Sequence, residues 1–92
     1  MASVVVTMRI MPNGIGIDLS SLESKAKKEI VGFCNSKEIK TEIVPVAFGL
    51  KSLNILFVMD ESKGSTEKLE HKISQIEGVE SVEVTDVRRA IG

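Results

Sequence analysis

Ninety-two residues, 42% of them hydrophobic and 27% charged, suffice for a single domain over 1–92, with one sheet and one layer of helices and no surface to spare for a second core. A formal net charge of -1 argues against holding nucleic acid mainly through its phosphates, so DNA is not an expected partner. Cys34 is the single cysteine, which excludes an internal disulfide and a cysteine-based metal site; with no apolar run of membrane-spanning length, the chain reads as cytoplasmic, without metal or cofactor.

From Ser3 to Met11, Val4, Val6, Met8 and Ile10 alternate with Val5, Thr7, Arg9 and Met11, which predicts a strand with its even positions buried. Pro12, Asn13, Gly14 and Gly16 form a turn. Gly14-Ile15-Gly16 lacks the third glycine of a dinucleotide fingerprint, which would fall at Leu19, so it reads as structural. Ser20 and Glu23 match a capping box ahead of Leu22, Ala26, Ile30 and Phe33 at helical spacing, and Glu23 and Lys27 are placed to pair outside. Asn35-Ser36 closes that helix. Ile39, Thr41 and Ile43 then alternate strictly with Glu38, Lys40 and Glu42, the pattern of an edge strand.

The stretch Val44 to Asp60 organises the rest. Pro45 cannot donate to a sheet ladder and suits an edge strand arriving at a bend. Phe48 lies beside Gly49, and from Leu53 onward a strand apolar on both faces sets Leu53, Ile55, Phe57 and Met59 against Asn54, Leu56 and Val58. Phe48 is either a core residue folded under the corner or an exposed anchor for a partner's pocket; Lys51 is either a solvated strand end or part of the same surface. Asp60-Glu61-Ser62-Lys63-Gly64 reads as a polar turn. Ser65 or Thr66 then caps a helix that buries Leu69, Ile73 and Ile76 and stops at Gly78. A last strand, Val79 to Val87, buries Val82 and Val84, ahead of the basic tail Arg88-Arg89-Ala90-Ile91-Gly92.

The order βαββαβ predicts an α+β, ferredoxin-like sandwich: a four-stranded antiparallel sheet covered on one face by two helices, with strands one and three central. Val5, Arg9, Met11, Leu56 and Val58 are then left on the bare face. His71, the only histidine, is expected to be solvated, Cys34 to be buried filler, and Asp60 and Glu61 to be loop residues.

Pro45-Val46-Ala47-Phe48-Gly49-Leu50-Lys51-Ser52-Leu53-Asn54-Ile55, an acidic turn, a Thr-led helix and the closing Val82-Glu83-Val84-Thr85-Asp86-Val87 together resemble the translation elongation factor 1-beta family. The strand ending Ile10-Met11-Pro12 and the helix start Asp18-Leu19 resemble its stand-alone archaeal form. The resemblance implies a guanine-nucleotide exchange domain that binds the GDP-bound and nucleotide-free forms of the GTPase elongation factor 1-alpha and does no covalent chemistry. It places Phe48, with Gly49 and Lys51, in a pocket of the GTPase and sends the C-terminal end toward its magnesium and phosphate site. Eukaryotic members end in a lysine there; this chain aligns Ile91 with it and has no lysine beyond Lys72. Arg88 or Arg89 is therefore expected to supply the positive charge, the alternative being release without a magnesium-displacing cation. The rival functions are an RNA-binding or ribosome-associated domain, and a self-associating or small-molecule-sensing module that uses the bare face.

Overall fold

Alternation in the first strand decides where the core lies. In the computed structural model, which describes residues 3–35 and 38–89, strand β1 (Ser3–Pro12) buries Val6, Met8 and Ile10 completely. The chain continues through helix α1 (Leu19–Cys34), strand β2 (Ile39–Pro45), strand β3 (Lys51–Asp60), helix α2 (Glu67–Ser74) and strand β4 (Val79–Arg89). The four strands form one antiparallel sheet in the order β2-β3-β1-β4, so the two strands that are apolar on both faces are central and the polar-alternating β2 is an edge. This is the ferredoxin-like sandwich the element order predicts.

Cross-strand pairs carry the core from strand to strand: Val6 faces Phe57, Met8 faces Ile55 and Ile10 faces Leu53, all buried. Leu22, Ala26 and Ile30 of α1 and Leu69 and Ile73 of α2 close over them. A fully buried aliphatic or aromatic side chain of this kind contributes about 1.5–3 kcal/mol relative to an exposed one. Val82 and Val84 of β4 are only partly buried against this cluster, and Cys34 is half-buried, its thiol donating to the Ile30 carbonyl at 3.4 Å. His71 is exposed on α2.

Several boundaries differ from the sequence expectation. The first helix is capped by Asp18, whose carboxylate accepts from the Ser20 amide at 3.0 Å, rather than by Ser20 itself. Starting at Leu19 places that apolar residue against the core and leaves the shorter-reaching Ser20 inside the first turn. Asn35 ends α1 in the left-handed conformation, as its residue type favours, while Ser36 lies outside the described residues. At the second helix Ser65 accepts from the Glu67 amide at 3.1 Å, and the Thr66 hydroxyl turns instead to Glu70 at 2.9 Å. Ile76 packs on the core from the turn beyond α2.

The last strand is longer than its apolar pattern predicts: Arg88 and Arg89 are not a tail but the end of β4, paired with Val5 and Val4. Between Thr7↔Asp86 and Met8↔Val84 the register shifts, leaving Thr85 as an extra residue, a β-bulge whose hydroxyl donates to the Thr7 carbonyl at 3.4 Å. Ala90, Ile91 and Gly92 lie outside the described residues.

Candidate functional site

The corner between β2 and β3 is closed by its own backbone. The Val46 amide donates to the Leu50 carbonyl at 2.8 Å and the Leu50 amide to the Ala47 carbonyl at 3.2 Å, which makes a single 3-10 turn of Ala47–Gly49. The buried Ser52 hydroxyl fastens β3 back to β2 by donating to the Val44 carbonyl at 3.3 Å. Closing so tight a loop requires two successive left-handed residues, and the chain supplies Phe48 at φ 61° and Gly49 at φ 77°. Glycine adopts this geometry freely, whereas a bulky side chain there is an outlier that costs roughly 1–2 kcal/mol.

Exposure removes one of the two readings of Phe48. Its side chain is 95% exposed and points away from the protein, so it is not a core residue folded under the corner. A large aromatic held in water by a closed, strained turn fits an anchor that awaits a pocket. Lys51 opens β3 beside it and is exposed. Phe48, Gly49 and Lys51 are thus brought together.

Arg88 and Arg89 are not brought to that corner. They pair with Val5 and Val4, at the end of the sheet where Ser3 faces Asp60, whereas Lys51 faces Pro45 at the other end. The length of β3 between the two ends is about 30 Å at the usual rise per strand residue. Both guanidinium groups are largely exposed. Arg88 Nε lies 2.7 Å from Asp86 Oδ2, and Arg89 Nη2 donates to Glu61 Oε1 at 2.9 Å. Exposed pairs of this kind contribute well under about 1 kcal/mol, so both arginines can exchange these carboxylates for another anion at little cost.

Glu61 belongs to a second 3-10 turn, Glu61–Lys63, capped by Asp60, which accepts from the Ser62 amide at 2.9 Å. Hydrogen bonds from the Ser62 amide and hydroxyl hold the Asp60 carboxyl below its ordinary value. These two acids therefore have structural work, and among the described residues no cluster of three or more His, Cys, Asp or Glu side chains is placed to hold a metal.

The helix-free face carries Val5, Arg9, Met11, Leu56 and Val58, each half-buried. Its centre is polar: Arg9 donates to Glu83 at 2.8 Å, while Arg9 Nε and Asn54 Oδ1, on cross-strand neighbours, are buried without a partner. Stacking of RNA bases needs exposed aromatics on such a face. None is there, since Phe57 is buried toward the helices, Phe33 lies on α1 and Phe48 lies at the corner.

The sequence alone does not flag Ile15. This residue of the β1–α1 turn is 76% exposed, and it lines a groove of about 480 Å³ together with Met11, Phe48 and Leu50. The available signal was a large aliphatic side chain between two glycines, where no core could cover it.

With this geometry in place, comparison with known proteins identifies relatives along the whole chain. The family described as EF-1 guanine nucleotide exchange domain matches residues 5–90. Proteins named elongation factor 1-beta are 40% identical over 89 residues in Methanothermobacter thermautotrophicus and 42% identical over 91 residues in Staphylothermus marinus, in each case covering 97% of this chain and 98% of the relative. Among solved structures, a de novo designed protein, Foldit4, superposes with a TM-score of 0.62 at 21% identity, covering 98% of both chains. BlrP1 BLUF superposes with a TM-score of 0.57 at 14% identity, covering all of this chain and 57% of that one. Likeness at such low identity concerns the fold alone.

Proposed function

The chain belongs to the EF-1 guanine nucleotide exchange domain family, and from that membership we propose how it works: it is an exchange factor that speeds GDP release from the GTPase elongation factor 1-alpha during protein synthesis in the cytoplasm. It breaks no covalent bond. A factor that binds the nucleotide-free GTPase more tightly than the GDP-bound form must weaken GDP binding by the same ratio. Each 1.4 kcal/mol or so of differential binding corresponds to about a tenfold change.

The observation that carries this reading is Phe48, 95% exposed on a closed turn that strains its backbone. In a pocket of the GTPase, that ring supplies about 1.5–3 kcal/mol of burial without any reordering of the loop that presents it. Gly49 and Lys51 complete the docking corner. Arg88 and Arg89, at the far end of the sheet, supply the positive charge at the phosphate and magnesium site in place of a terminal lysine. A guanidinium binds phosphate oxygens in a planar fork, so it competes with the ion for the phosphates rather than filling the ion's place.

The test is the release rate of a fluorescent GDP analogue from elongation factor 1-alpha, with wild type and with Phe48→Ala. Wild type accelerates release and the folded variant does not. Equal rates with and without the wild-type protein would refute the proposal.

A further inference from the structure

We propose that the docking surface extends beyond the corner: Ile15 is a second anchor, and the groove between Ile15 and Phe48 receives an aliphatic side chain from a loop of the GTPase. This rests on the exchange-factor reading and adds a contact to it. Single exposed apolar residues are ordinary on any protein surface. Here the two most exposed large apolar side chains among those described, Phe48 at 95% and Ile15 at 76%, come from different loops and line one groove of about 480 Å³.

The groove is lined by both apolar and polar side chains. Met11, Pro12 and Leu50 line it with the two anchors, as do Glu80 and Ser81 of the edge strand β4. An interface centre of this kind is apolar with polar groups at its border. Glu80 favours a basic neighbour on the incoming loop.

The turn that carries Ile15 is shaped for approach from outside. The Asn13 amide donates to the Gly78 carbonyl at 2.8 Å, tying the turn's start to the body of the domain. A Cβ added at Gly14 or Gly16 would meet nothing within 4 Å, and neither glycine has the positive φ that excludes other residues. Internal packing therefore gives no reason for glycine on both sides of Ile15. Close approach of another chain does, because it leaves the flanks of the side chain bare. Ile15 also adjoins the first anchor: a Cβ at Gly49 would sit 3.8 Å from Ile15 Cγ2.

The experiment measures the concentration of this protein that gives half-maximal acceleration of GDP-analogue release from elongation factor 1-alpha. Ile15→Ser is expected to raise it about tenfold, while Val31→Ser, at a 45% exposed aliphatic residue on α1, leaves it unchanged. Ser81→Trp, which puts a large ring at another residue lining the groove, should act like Ile15→Ser. If Ile15→Ser melts early, Ser81→Trp decides alone. Wild-type values for both groove variants, with Phe48→Ala impaired, would overturn the second anchor and leave the exchange reading standing. No acceleration by the wild type would overturn both.

Discussion

Replacing Phe48 by glycine separates the fold from its function. At φ 61° a phenylalanine loses roughly 1–2 kcal/mol that glycine does not, while glycine gives up about 0.5–1 kcal/mol more conformational entropy on folding. Because the side chain is 95% exposed, no core contact is lost. The net change lies between about zero and 1.5 kcal/mol in favour of the variant. For a domain of this size about 1 kcal/mol raises the melting temperature by about 4–8 °C. A buried phenylalanine behaves oppositely: Phe57→Ala should lose about 3–5 kcal/mol. Thermal melts followed by circular dichroism, alongside GDP-analogue release, read both quantities. Phe48→Gly should melt at or above the wild-type temperature and fail to accelerate release. A fall of about 10 °C or more, or full exchange activity, would refute the account of the corner as strain retained for docking.

Three further outcomes follow from the geometry. Asp18→Ala removes the cap of α1 and should lower stability by about 1 kcal/mol in chemical denaturation, whereas Ser20→Ala should change it little. The double variant Arg88→Ala, Arg89→Ala should melt near the wild-type temperature, since it loses only exposed ion pairs, yet stimulate GDP release weakly; unchanged exchange would remove both arginines from the mechanism. Asp60 has a lowered pKa in the folded protein. The stabilisation of its turn is therefore complete above the ordinary value of 3.8 and is lost as pH falls through the lower folded-state value. The Ser62 amide resonance, followed by NMR, should move with a midpoint below 3.8, and a midpoint above it would contradict the hydrogen bond.

Period-two alternation carries most of this fold. Val6, Met8 and Ile10 and then Leu53, Ile55 and Phe57 announce two central strands, and the charged alternation of Glu38 to Ile43 announces an edge, because burial on each face follows side-chain polarity directly. Features set by backbone closure are less visible. Asp18 and Ser20 are equally good capping residues by type, and the choice depends on where Leu19 meets the core. The direction of Phe48 follows from the left-handed turn, which Gly49 suggests for one residue and not for its neighbour. The end of β4 is hidden because Arg88 and Arg89 are polar, as the residues of a tail would be, and pairing with Val5 and Val4 of β1 lengthens the strand.

The bulge at Thr85 works as a parity switch. Without it, the even positions that face the helices at Val82 and Val84 would keep doing so, and Asp86 and Arg88 would turn inward while Val87 turned out. With it, Val87 stands opposite Val6 on the helix side, and the consecutive arginines project to opposite sides of the sheet, Arg88 next to Asp86 and Arg89 toward Glu61. Two guanidinium groups so divided present positive charge on both faces at that end of the sheet. Arg88→Ala alone therefore removes charge from the helix-free face and Arg89→Ala alone from the helix side, which exchange measurements on each single variant can tell apart.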